Sequence, residues 1–92
     1  MTPLNQEQLE TIHAMALRTI DQLPQDNATT IARLYCSYRA AGESRALAEL
    51  RTSNEASKLI RFRSIREKNI WARNGLDIGI DAWFKAYAQV VG

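Results

Sequence analysis

Residues 54–75 read NEASKLIRFRSIREKNIWARNG, and the neighbouring segments are interpreted according to how this one folds. At about 100° per residue, Ala56, Leu59, Ile60, Ile70 and Trp71 share one face of a helix. Arg63 and Glu67 lie within that face, four residues apart, where they can pair. Phe62, Ile65 and Ala72 point elsewhere, flanked by Lys58, Arg61, Arg66 and Lys68. The pattern predicts a long basic helix over about Asn54–Arg73, stopped by Asn74-Gly75. One apolar face turns to neighbours and a second, cation-rimmed face remains to be explained.

Upstream, Ala46, Leu47 and Leu50 suggest a short helix over about Ser44–Arg51. Thr52 to Glu55 has the form of a capping box, threonine answered by glutamate three residues on. A break is therefore expected at Thr52-Ser53, although the two helices could merge into one rod. Before that, Asp26 or Asn27 is placed to cap a helix reaching about Ala41, with Gly42 at its left-handed stop. This helix carries Ile31, Leu34, Tyr35 and Tyr38 on one side. On another it carries a stripe of small residues, Ala32, Cys36 and Ala40, that permits close approach of a second helix.

The first helix is expected from Leu4 or Asn5 to Leu23, with Leu9, Ile12, Ala16, Ile20 and Leu23 as its stripe. Pro24 ends it, because the residue before a proline is driven out of helical geometry. Glu7 and Glu10 suit its N-terminal dipole. Downstream of the central stretch, a last helix runs from near Asp77 to about Val91. Ile80, Trp83, Phe84, Tyr87 and Val91 form its inward stripe, and Asp81 can pair with Lys85. The whole is read as an all-α, compact bundle of four to five short helices in a single domain spanning residues 1–92.

Composition agrees. The chain has 92 residues, 46% of them hydrophobic and 24% charged, and only four glycines and two prolines. That balance favours ordered helix over sheet or disorder. A single cysteine, Cys36, excludes an internal disulfide and fits a reducing compartment. The start, MTPLNQEQLE, has neither the basic end nor the apolar run of a signal peptide. No run approaches the ~20 apolar residues of a membrane span. A cytoplasmic protein with no membrane partner is expected.

No residue set names a reaction. His13 stands alone, without the further ligands a metal site needs. Cys36 lacks a basic partner that would activate a thiolate, and a helix–helix contact explains it. The carboxylate pairs Asp77/Asp81 and Glu7/Glu10 are explained as helix N-terminal charges. Glycine-rich phosphate loops, nucleophile elbows and zinc signatures are missing. The reading is of a non-enzyme with no cofactor and no metal. The aromatic residues follow helical spacing and read as core rather than as a cofactor box.

Charge is uneven. Arg45–Arg73 holds eight Lys/Arg against three Glu, whereas the first 27 residues hold four acids against Arg18 alone. Such asymmetry gives a fold a positive and a negative side. The candidate contact surface is Lys58, Arg61, Phe62, Ile65, Arg66 and Lys68. The bland alternative makes Phe62 and Ile65 core residues of a helix packed on both sides, with the cations as a solvated rim. The leading expectation is a small regulatory protein that binds nucleic acid, with the cations on phosphates and Phe62 stacked or wedged. The alternative is an inhibitor or adaptor that docks the same face on an acidic protein surface of a nucleic-acid-handling complex. A helix-turn-helix around Thr52-Ser53 has suitable lengths, but it lacks the usual glycine and the apolar spacing. Homodimerisation through Ala32/Cys36/Ala40, or through the exposed face of the basic helix, is a further reading.

Overall fold

The computed structural model describes residues 3–92 as four α-helices joined by short connections, with no strand among those residues. Met1 and Thr2, the first two residues of the polar start, lie outside the described residues. The helices are α1 (Gln6–Asp21), α2 (Asn27–Ala40), α3 (Arg45–Leu59) and α4 (Ile65–Val91). The all-α bundle expected from the sequence is what forms.

The first two helices follow their signals. Asn5 caps α1 through a reciprocal capping box with Gln8, and Ile12, Ala16 and Ile20 are buried on its inner face. The helix stops at Asp21, and Leu23 is exposed rather than part of the stripe. Asp26 caps α2, accepting from the Thr29 amide at 3.0 Å while the Thr29 hydroxyl accepts from the Asp26 amide at 2.9 Å. Gly42 takes φ +93°, the left-handed stop that a side chain rarely tolerates.

The second half departs from the expected helix boundaries. Thr52-Ser53 is no break, because α3 runs through it and Thr52 is fully buried. Glu55 therefore closes no capping box. Ala48, Thr52 and Ala56 form the buried edge of α3, while Leu47 and Leu50, expected inside, are exposed. Small residues on this edge let α3 lie close to its neighbours, and that edge sets the helix's rotation. The interruption comes instead at residues 60–64, inside the rod expected over Asn54–Arg73. Ile60 is extended (φ −119°, ψ 130°), and Ser64 caps α4 by accepting from the Glu67 amide at 3.1 Å. Glu67 turns back to accept from the Arg63 amide at 3.2 Å, so these two residues meet as a helix cap and not as an ion pair.

Asn74-Gly75 is no stop either. Helix α4 passes through it for 27 residues, about 40 Å at 1.5 Å per residue, matching the 42 Å long axis of the molecule. The cause is tertiary. Ala72, Gly75, Gly79, Ala82 and Ala86 are buried at alternating steps of three and four, forming a seam of small residues along α4. A Cβ on Gly75 would stand 2.5 Å from Ile31 Cβ and 2.8 Å from the Ala28 carbonyl oxygen. A Cβ on Gly79 would stand 3.1 Å from the Ala32 carbonyl oxygen. The two glycines thus let the backbones of α2 and α4 approach closely, and the packing gained across that contact outweighs their poor helix propensity.

The stripe of small residues on α2 is the other half of this contact. Ala32 and Cys36 are fully buried, and the Cys36 thiol reaches the Gly79 carbonyl at 3.7 Å. These two residues meet α4 within the same chain and are closed to a second copy. Around the seam Ile12, Ala16, Ile20, Tyr35 and Trp83 complete the core. Of the inward stripe expected on the last helix, Trp83 enters the core as read, but Phe84 at 66% and Val91 at 44% are exposed, because Gly79, Ala82 and Ala86 set the face that α4 turns inward. Asp81 and Lys85 pair on the outside at 2.9 Å, as their spacing suggests.

Candidate functional site

Helices α3 and α4 are joined at an elbow, residues 60–64, rather than by a tight turn packed under other elements. The elbow redistributes the candidate contact residues. Lys58 sits in the last turn of α3, Arg61 and Phe62 lie in the irregular link, and Ile65, Arg66 and Lys68 occupy the first turn of α4. They do not form the face of one continuous helix. Five of the six nevertheless line one open groove of about 600 Å3: Lys58, Arg61, Phe62, Ile65 and Lys68, joined by Leu59 and Ile60. Arg66 is exposed beside it and outside the lining.

Burial separates the two apolar members of the set. Ile65 is 79% exposed, whereas Phe62 is half-buried, its ring partly withdrawn from solvent. Leu59 at 59% and Ile70 at 52% are also exposed, although the helical wheel placed both on the inward face. The interruption at residue 60 removes the common phase between residue 56 and residues 70–71, which accounts for Ile70. Leu59 is exposed because α3 ends there, beyond the buried edge of Ala48, Thr52 and Ala56. Ala56 alone of that face is fully buried. A large exposed aliphatic is unremarkable singly, but a group of them rimmed by cations marks a contact surface.

Electrostatics give the elbow its second property. Arg33, Arg45, Arg51, Lys58 and Lys85 each have a carboxylate at 3.8 Å or closer. Seven of the 12 Lys/Arg have no such partner among the described residues, and five of those seven, Arg61, Arg63, Arg66, Lys68 and Arg73, fall between residues 61 and 73. Lys58 is held by Glu55 only loosely, at 3.8 Å with most of its side chain in water. An exposed pair of this kind is worth ~0–1 kcal/mol, so Glu55 does little to neutralise it. The elbow and the start of α4 therefore carry more positive charge than Glu55 and Glu67 offset, beside an open groove.

The titratable groups elsewhere have structural surroundings. Burial pushes the Cys36 thiol up to about 12 against a slight downward pull from Arg39, which keeps it protonated and unreactive. Burial also lowers the pKa of His13, whose Nε2 has no hydrogen-bond partner. No three His, Cys, Asp or Glu side chains are grouped at metal-binding distance among the described residues. No helix among the described residues is long and apolar enough to cross a membrane.

The helix-turn-helix reading fails on geometry, because its turn at Thr52-Ser53 lies inside α3. What the sequence reading missed is that Leu59 and Ile70 belong to the exposed surface. A cluster of Arg61, Arg63 and Ser64 in a segment otherwise read as helix was the available signal, since Ser64 with Glu67 three residues later has the spacing of a capping box.

Comparison of the chain with known protein families, with functionally described proteins and with solved structures finds no match.

Proposed function

We propose that this protein is a small non-catalytic binding protein that engages nucleic acid through the cationic elbow between α3 and α4. The observation that carries this reading is the concentration of five cations without internal carboxylate partners in residues 61–73. Cations held apart from acids are free to displace condensed counterions from a phosphate backbone. The groove beside them suits a single strand, with Lys58, Arg61 and Lys68 along its walls and Phe62 offering a partly accessible ring on which a base can stack. A wide duplex groove has less to gain, because no helix presents all six residues on one face.

The exposed aliphatics Leu59, Ile65 and Ile70 favour a second reading, that the elbow docks on an acidic protein surface with apolar hollows. Phosphates give such side chains little to bury against. The two readings separate in one experiment. Binding of a fluorescent single-stranded oligonucleotide is followed by anisotropy as salt is raised. With about four phosphate contacts, the logarithm of affinity falls with a slope of about −3 against the logarithm of salt. Ile65→Ser leaves that affinity within about twofold, because the aliphatic touches no phosphate. Absence of oligonucleotide binding, together with a cellular partner that is retained after nuclease treatment and lost in Ile65→Ser, transfers the assignment to the protein reading.

A further inference from the structure

A second cavity lies about 30 Å along α4 from the elbow, taking 1.5 Å per residue from Ile65 to Phe84. Its volume is about 190 Å3, and it opens where the start of α3 faces the later part of α4 across α2. Tyr35 and Arg39 come from α2, Arg45 from the first position of α3, and Trp83, Phe84 and Tyr87 from α4. Aromatic rings therefore form most of the wall, and two guanidinium groups are the only charges in it.

The polar groups there are the guanidinium groups of Arg39 and Arg45, the Trp83 indole N–H and the hydroxyls of Tyr35 and Tyr87. Arg39 lies over the Trp83 ring, 5.6 Å from its centroid, a cation–π contact that fixes both side chains. The Arg39 Nε and the Trp83 indole Nε1 are buried, and neither has a hydrogen-bond partner. Trp83 is only 3% exposed, so its donor has little access to bulk water. Burial raises the pKa of Tyr35, with Arg39 and Arg45 pulling it back. No carboxylate lines the cavity. Glu49 stands 3.8 Å from Arg45 on its own helix, too long for a tight pair, and leaves most of the Arg45 side chain in solvent. Phe84, at 66% exposed, forms a hydrophobic lip.

We infer that this cavity binds a compact oxyanion carried on an aromatic ring, with Arg45 and Arg39 holding the carboxylate or phosphate oxygens and Phe84 and Tyr87 covering the ring. Charge selects the head, because two guanidinium groups with no carboxylate in the lining reward an anion and penalise a cation. Volume selects the body, since about 190 Å3 is below the ~300–1,000 Å3 of drug-sized sites and suits a single ring. The inference is independent of the elbow, with which it shares no residue.

The test is a heteronuclear NMR titration of the full chain with benzoate and with phenyl phosphate, alongside benzyl alcohol (ring without charge) and acetate (charge without ring). The chain has two tryptophans, and Trp71→Phe assigns the Trp83 indole N–H. Saturable movement of the Trp83 signal with benzoate or phenyl phosphate, at least tenfold tighter than with benzyl alcohol or acetate, is the expected result. The stronger of the two aromatic anions identifies a carboxylate or a phosphate as the head. Arg45→Ala lies on the surface, spares the core, and is expected to weaken binding about tenfold through loss of a charged hydrogen bond. Phe84→Ala, equally exposed to solvent, weakens ring binding without unfolding the chain. Equal binding of benzyl alcohol, an unsaturable response, or an Arg45→Ala affinity equal to that of the parent overturns the inference.

Discussion

Thr52 shows how one side chain can serve a helix badly and a packing contact well. It is fully buried in α3, and its hydroxyl has no hydrogen-bond partner, a state that costs free energy relative to an apolar group of the same shape. Thr52→Val keeps the volume and removes the unmet hydroxyl, so unfolding in urea is expected to shift to higher denaturant, with a gain of about 1 kcal/mol. A loss of stability of that size means the hydroxyl is satisfied in solution. Thr52 also illustrates why residue-level signals misled. Threonine followed by glutamate at the third position is a cap when the chain enters a helix there, and the same letters are silent inside one. Ile65 and Leu59 carry the opposite lesson. Their character is apolar in any alphabet, and only the break at residues 60–64 decides that they face water.

At the scale of elements, the contact between α2 and α4 dominates, and glycine makes it. Gly75→Ala gains about 1 kcal/mol of helix propensity, but its Cβ would meet Ile31 at 2.5 Å and backbone oxygen at 2.8 Å. Overpacking of this kind costs about 1–3 kcal/mol or more, so a net loss of stability is expected. Gly79→Ala is milder, with nearest approaches of 3.1 Å to Ala32 and Tyr35, and its loss is expected to be the smaller. Chemical denaturation of both variants checks the order, and a Gly75→Ala chain as stable as its parent contradicts the close approach. The seam was legible in principle, since Ala72, Gly75, Gly79, Ala82 and Ala86 follow steps of three and four. It was hidden because hydrophobic periodicity weighs large side chains, and Asn-Gly reads as a stop unless a neighbouring helix is known to need the gap. The caps of α1 and α2 and the left-handed turn at Gly42 were readable from local sequence, because each is settled within a few residues. The elbow was not, because Ser64 competes with a run of residues that all tolerate helix.

The whole molecule measures 42 × 26 × 16 Å, an elongated slab with the elbow near one end of α4. Its stability depends on pH through the groups whose pKa values burial shifts. His13 titrates below its ordinary 6.5 in the fold, so the unfolded chain binds more protons there and stability falls as pH drops below about 6.5. Cys36 is raised from 9.0 to about 12, and Tyr35 is raised above 10.0. The fold therefore keeps protons that the unfolded chain releases, and stability falls as pH climbs above about 9. A plateau between these limits is expected from denaturation at a series of pH values, and Cys36→Ala should flatten the alkaline side. Binding belongs to this scale too, because the question is whether local placement or total charge holds a partner. Arg61→Glu and Arg18→Glu change the net charge equally, and both replace exposed cations without a carboxylate partner. Affinity for the single-stranded oligonucleotide, measured for both variants at one salt concentration, is the most direct test of the elbow as the contact surface. The elbow account predicts a loss of at least tenfold for Arg61→Glu and less than threefold for Arg18→Glu, roughly the weight of a lost phosphate contact against that of a distant, screened charge. Equal losses in the two variants contradict it.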